Sequence, residues 1–194
     1  MARRTNAERT AETKASLIAA ARALFATRGY AATSTEAILE AAGATRGALY
    51  HHYREKSDLF ADVCAQMHGE AQGAILQAAS SARDPFAALE RGCEAWIDYM
   101  ARPDARRVLI IEALTVLGWE RWNQMDAAGF ASLTEGIAEA MAAGKLKAMP
   151  AEELAVLING AVNFGVMWAG HGRDKPRIGR IKSALRRLFK ELRA

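Results

Sequence analysis

The 194-residue chain predicts an all-α fold, and three observations carry that expectation. Alanine is the commonest residue type, no stretch sustains the period-two alternation of β-branched residues that marks a strand, and apolar residues recur at three- and four-residue steps. A hydrophobic fraction of 51% supports a real core in a chain of this length. Cys64 and Cys93 fit no extracellular disulfide framework, and the opening Met-Ala-Arg-Arg-Thr-Asn lacks the apolar core of a signal peptide, so a cytoplasmic location is expected. No run reaches the ~18 consecutive apolar residues of a membrane helix. The nearest, 154 to 169, contains two asparagines and two glycines, so no membrane partner is expected.

Taken in order, residues 1 to 8 are polar, and Arg3 and Arg4 are either phosphate or minor-groove contacts or simply a frayed end. From Thr10 to Arg28, Leu17, Ile18, Ala21, Leu24 and Phe25 fall on one stripe of a helix. Thr33 and Glu36 have capping-box spacing and predict a second helix just after Thr33, with Ile38, Leu39, Ala41 and Ala42 as its apolar face. Gly43 supplies the positive φ that ends it, and Thr45 caps a third helix only two or three residues on. Two short helices joined this tightly suit the steep crossing of a helix-turn-helix. Its second helix carries Arg46, Gly47 and Ala48 at an acid-free start, where residues of a recognition helix reach base edges and the helix dipole favours phosphate. Small residues at 47 and 48 allow close approach to the groove, and the planar fork of Arg46 matches the O6 and N7 acceptors of guanine.

Arg-Gly-Tyr at 28 to 30, Thr33 through Gly43, and Thr-Arg-Gly-Ala-Leu-Tyr-His-His-Tyr-x-x-Lys-x-x-Leu from 45 to 59 resemble the TetR/AcrR family of transcriptional repressors. The likeness spans roughly residues 9 to 67. It implies that Thr45, Arg46, Gly47 and Ala48 face bases, that Thr33, Thr35, Tyr50, His51 and Lys56 hold phosphates, and that Leu49 and Tyr53 are core. The other 130 or so residues resemble the family in layout only, as a half adapted to each member's own ligand would.

Ser57 is expected to cap a long helix running to about Ser80 that links a DNA-binding domain, 1 to 56, to an effector-binding and dimerisation domain, 57 to 194. Within it, Cys64 and His68 have i, i+4 spacing, but no further ligand lies nearby in sequence and no metal is expected. Gly69 and Gly73 weaken the same helix, either to let it bend or to let a neighbour come close. All four prolines lie beyond residue 84 and divide the remainder into helices near 85 to 101, 104 to 117 with 119 to 144, 150 to 171, and 175 to 193, with Pro176 just inside the last. About nine helices result, the number the resemblance implies for smaller family members. The helix from 150 to 171 is apolar nearly all round, and Ile178, Ile181, Leu185, Leu188 and Leu192 form a seam on the last one. These two helices are therefore expected to form a homodimer interface.

The net charge of +4 resides in residues 1 to 56, with nine Lys/Arg against five Asp/Glu, while 57 to 194 balance at seventeen each. This is the footprint of a phosphate binder. Residues 173 to 194 carry nine bases against two acids, read as a charged face offsetting the acidic block before it, with a second DNA contact as the alternative. Between 96 and 168, Trp96, Tyr99, Met100, Trp119, Trp122 and Met167, with the polar Glu112, Asn159 and Asn163, are the candidate lining of a lipophilic or aromatic effector site. There is no Gly-rich phosphate loop, no Gly-x-Ser-x-Gly, no His-Glu-x-x-His and no metal spacing among the histidines, which argues against an enzyme and against a cofactor. The expected function is a ligand-responsive repressor that binds a palindromic double-stranded DNA operator as a dimer. The alternatives are a helical protein-interaction module and an orphan regulator without a small-molecule ligand.

Overall fold

In the computed structural model, which describes residues 5–170 and 177–194, the chain is a stack of helices. In chain order they are α1 Asn6–Arg28, α2 Thr35–Ala42, α3 Arg46–His52, α4 Lys56–Ser80, α5 Pro85–Met100, the short α6 Pro103–Ala105, a π-helical segment Arg106–Glu112, α7 Ala113–Ala142, α8 Ala151–Gly170 and α9 Arg177–Leu192. The readings that fell on Arg3, Arg4 and Pro176 lie outside the described residues.

Local chemistry moves several helix starts from their expected places. Helix α1 begins earlier, because Thr5 and Glu8 form a capping box in which each side chain accepts from the other's backbone N–H. The cap of α2 is Ser34, whose hydroxyl accepts from the Ala37 N–H, and not Thr33. Helix α4 starts at Lys56 with Glu55 and Asp58 reciprocating, while the Ser57 hydroxyl donates to Glu55. Asp84 caps α5 ahead of Pro85, as expected. The break between 117 and 119 is present at Gly118, whose φ of 75° interrupts α7. One feature had no warning in the sequence: residues 106 to 112 are π-helical.

The first part of the core lies where α1, α2 and α3 meet the start of α4. Leu17, Ala21, Phe25, Ile38, Leu59, Phe60 and Val63 are fully buried there, and the Phe25, Tyr30 and Phe60 rings pack against one another with centroids 5.1 to 5.6 Å apart. The first turns of α4 thus belong to the small domain's core, so α4 is shared. Its later turns pack along α5 in the largest helix–helix contact of the molecule. Met67, Ile97, Met100, Val108, Ile137 and Val166 continue the same core into the second half.

Helix α8 is long and apolar enough to cross a membrane by length and composition alone. It is instead half inside this core: Leu154, Ala155, Ile158, Val162, Gly165 and Val166 are buried against α5, α7 and α9, whereas Val156, Leu157, Phe164 and Trp168 face outward. On α9, Leu185 and Phe189 are buried, Ile178, Ile181 and Leu192 pack against the core, and Leu188 is exposed. The basic face of α9 is paired with acids of α5: Lys182 with Asp98 at 2.7 Å and with Glu94, and Arg186 with Glu94.

Candidate nucleic-acid interface and ligand cavity

The turn between α2 and α3 is built as the sequence predicts. Gly43 adopts the left-handed conformation at φ 61°, ψ 29°, and the Ala44 N–H returns to the Leu39 carbonyl, closing the end of α2. The Thr45 hydroxyl accepts from the Ala48 N–H at 3.2 Å and starts α3. Leu49 and Tyr53 are buried, and the Tyr53 hydroxyl donates to Asp62, so α3 is anchored along one side. Its other side presents Thr45, Arg46 and Gly47 to solvent, with Ala48 half-buried behind them. The Arg46 guanidinium lies 5.8 Å from the Tyr50 ring centre and 3.8 Å from the Glu36 carboxylate, in exposed positions that leave it able to turn toward a ligand.

The five residues expected to hold phosphates do not share one environment. Thr35, Tyr50 and Lys56 line one small cleft with Arg54, and His51 is exposed on α3. Thr33 is a correction: it is fully buried and its hydroxyl donates to the Gly29 carbonyl at 2.7 Å, so it holds the α1–α2 turn and not a phosphate. Lys56 is a second: its Nζ donates to the carbonyls of Tyr30 and Thr33, each at 2.8 Å, and lies 4.1 Å from the Tyr30 ring centre. Two of its donors are taken by carbonyls that the turn exposes and no helix satisfies. Lys56 therefore fastens the reader to α4, and burial lowers its pKa.

A second fastening comes from the π-helical segment. Residues five apart on an α-helix point about 140° apart, whereas i→i+5 bonding brings them onto neighbouring positions. Arg107 and Glu112 are five apart, and both turn toward the end of α1. Arg107 donates to the carbonyls of Ala26 and Thr27, and Glu112 accepts from the Tyr30 N–H at 2.9 Å. The side chain of Glu112 comes so close to Gly29, itself at φ 85°, that a Cβ there would sit 2.7 Å from its Oε1. Gly29 is thus required by its backbone conformation, and a side chain there would in addition push the Glu112 carboxylate from its place.

A cavity of about 250 Å³ opens among α4, α5, α7 and α8. Ile75, Leu89, Phe130, Leu133, Ile158 and Val162 make most of its wall, and Gln72, Trp96, Asp126 and Asn159 bring polar atoms to it. A hydrogen-bonded chain runs behind the wall: the Trp96 indole N–H donates to Asn163 at 2.7 Å, the Asn163 amide to Asn159 at 2.7 Å, and the Asn159 amide to Asp126 at 3.5 Å. His68 closes the group, its ring 5.6 Å from Trp96 and its Nδ1 3.8 Å from Asp126. Burial pushes the His68 pKa down to about 4, so at neutral pH that contact is not an ion pair. Burial raises the Asp126 pKa, partly offset by the Asn159 hydrogen bond.

Of the nine residues expected to line an effector site, Trp96 and Asn159 line this cavity, and Asn163 stands one bond behind them. The other six are not among the residues that line this cavity. Glu112 holds the Tyr30 backbone, as described above, and Met100 is fully buried core. The Tyr99 hydroxyl donates to Glu70, which also accepts two bonds from Arg22 and so joins α1, α4 and α5. Trp119 is exposed and packs at 5.5 Å on the half-buried Trp122, and Met167 is half-buried on α8. Reasoning from sequence missed Gln72, His68 and Asp126. For Asp126 a signal existed, since it falls in phase with Trp122, Phe130 and Leu133, an acid on the apolar stripe of α7. Among the described residues no group of three or more His, Cys, Asp or Glu is placed to hold a metal ion.

Comparison with known proteins covers both halves. Residues 17–63 match the family described as bacterial regulatory proteins, tetR family, and residues 86–192 match the family described as tetracyclin repressor-like, C-terminal domain. The crystal structure of a TetR-family transcriptional regulator from Pectobacterium atrosepticum superposes with a TM-score of 0.83 at 30% identity, covering 98% of each chain. The transposon Tn10 TetC protein of Escherichia coli is 27% identical over 146 residues, 75% of this chain and 74% of that protein. The transcriptional regulator AcrR of Shigella flexneri is 44% identical over 63 residues, 32% of this chain and 29% of AcrR.

Proposed function

Since the chain belongs to the TetR family and is a DNA-binding transcriptional regulator, not an enzyme, we propose that it is a homodimeric repressor whose DNA grip is released by a small molecule in the α4–α5–α7–α8 cavity. The observation that carries this reading is the course of α4. At one end Lys56 holds the Tyr30 and Thr33 carbonyls of the reader, and at the other Gln72, Ile75 and Leu76 form a wall of the cavity. A ligand that shifts α4 moves the reader with it. The repressor is expected in the cytoplasm, with the reading function in residues 1 to 56 and ligand binding and dimerisation in 57 to 194.

In this reading Arg46 makes the principal base contact, with Thr45, Gly47 and Ala48 beside it at the groove, and Thr35, Tyr50 and His51 touch phosphates. Dimerisation is supported by the outward faces of α8 and α9. Leu157, Phe164 and Trp168 follow one stripe of α8, opposite its buried stripe, and Leu188 adds to it from α9. Such a patch on a soluble regulator calls for a partner surface, and a second copy provides a self-complementary one. Two-fold protein symmetry then requires a near-palindromic operator with half-sites about 34–36 Å, or a multiple, apart.

Selection of bound sequences from random duplexes, with sedimentation of the protein alone and on the selected duplex, tests the reading. Two-fold sequences bound by an even number of copies are expected. A monomer that stays one to one on an asymmetric site would overturn the dimer, and a gel shift present only at low salt and without any sequence preference would overturn the operator.

A further inference from the structure

Within the effector reading above, on which this inference rests, the lining of the cavity narrows the class of ligand. The wall is mostly apolar, yet Asp126 is buried in it with only 9% of its surface exposed. The Asp126 carboxylate has a long hydrogen bond from Asn159 at 3.5 Å and the His68 Nδ1 at 3.8 Å, and His68 carries no charge at neutral pH because burial holds its pKa down to about 4. Glu135 and Glu139 stand at the exposed side of the same cavity. Among the residues that line it there is no lysine and no arginine. Every formal charge facing the space is therefore negative, and the deepest of them lacks a cationic partner. An isolated carboxylate in an apolar wall is costly to ionise, and an enclosed cation relieves that cost directly.

We propose that the cavity binds a monovalent organic cation of lipophilic character, an amine or quaternary ammonium, with its apolar body against Leu89, Phe130 and Ile158 and its charge at Asp126. Trp96 stands at the same end of the cavity, its ring 5.6 Å from His68, and offers an aromatic face to an alkylammonium group. Anionic ligands meet three carboxylates and no countercharge there, and are excluded.

Three probes of similar shape test this on the purified full-length protein by isothermal titration calorimetry: benzyltrimethylammonium, its neutral carbon isostere neopentylbenzene, and phenylacetate. The cation is expected to bind at least tenfold more tightly than the isostere, and phenylacetate not at all. Asp126→Asn keeps the size of the side chain and removes the charge, and should bring the cation's affinity down to that of the isostere while leaving the isostere unchanged. Equal binding of cation and isostere to the native protein would overturn the charge assignment and leave the cavity as a neutral-ligand site. Binding of none of the three would overturn the effector reading itself along with the inference. If Asp126→Asn fails to fold by circular dichroism, the comparison of the three probes on the native protein still decides.

Discussion

Replacing both exposed glycines of α4, Gly69→Ala with Gly73→Ala, should make this protein more stable and less responsive to ligand. Both residues sit in regular helix, since the positive φ values among described glycines belong to 29, 43, 118 and 144. A Cβ added at either position meets nothing within 4 Å, so the substitution brings no clash, and the reading that these glycines admit a close neighbour does not hold. What remains is the helix propensity difference, about 0.8–1.0 kcal/mol per site, or about 1.5–2 kcal/mol for the pair. At about 2–4 °C per kcal/mol for a chain of this size, Tm should rise by about 3–8 °C. Circular dichroism melting at one fixed protein concentration measures it, because the Tm of a dimer depends on concentration. Gly69 lies between the reader and the cavity along α4 and Gly73 beside its first wall residue, Gln72, so if the helix bends there in response to ligand, the stiffer double variant should show a smaller ratio of operator Kd with and without benzyltrimethylammonium. An unchanged or lower Tm would refute the propensity argument. A raised Tm with an unchanged Kd ratio would refute the bending role.

Arg46→Ala should cost ~1–3 kcal/mol on the selected operator and relax preference at one base pair per half-site, with protein stability unchanged, since the side chain is exposed. Lys56→Met should instead lower stability in the absence of DNA, because it removes the Lys56 donor from the Tyr30 and Thr33 carbonyls and leaves Tyr30 only its bond from the Thr33 N–H, and a melt that matches the native protein would return Lys56 to the role of a free phosphate contact. Glu112→Ala leaves the Tyr30 N–H without its acceptor and removes the ion-pair partner of Arg107, at a cost of about 1–3 kcal/mol by urea unfolding, and a loss within error would show that water replaces the carboxylate. Acid should destabilise the Asp126→Asn variant more steeply than the native protein. The folded His68 has a pKa of about 4 against an ordinary 6.5, so the unfolded chain takes its proton first and stability falls from pH 6.5 downward, by up to about 2–3 kcal/mol at pH 4.5. The raised pKa of Asp126 acts with the opposite sign, the folded state protonating first, and the variant loses that offset. Equal slopes of unfolding free energy between pH 6.5 and 4.5 would refute the opposition.

The reader was legible in the sequence because its determinants are local. Gly43, Thr45, Leu49 and Tyr53 act within a turn or two of themselves, and a left-handed turn, a cap and an anchor follow from residue type and spacing. Proline and glycine positions marked the ends of α5, α7 and α8 for the same reason. Even there, one step of register escaped: Thr33 and Ser34 are both good caps, and which of them caps α2 depends on Gly29, whose carbonyl takes the Thr33 hydroxyl. For Lys56 the resemblance implies a phosphate contact, and only the approach of the α1–α2 turn directs its amine inward.

The ligand site was legible as a composition and not as a place. The sequence by itself determined that the second half carries large soft side chains with few polar ones among them, and of the residues expected on that basis Trp96 and Asn159 line the cavity. Composition could not distinguish the wall of a cavity from the packed core, as at Met100, from a joint between domains, as at Tyr99 and Glu112, or from the outer surface, as at Trp119. Those distinctions depend on which way each helix is rotated about its axis. Rotation is set by packing between residues distant in the chain, and here also by a π-helical segment that resets the phase of everything from Arg106 to Glu112. Only the tertiary structure could therefore place Asp126 beside His68, 58 positions away in sequence, and bring Asp126 to the cavity.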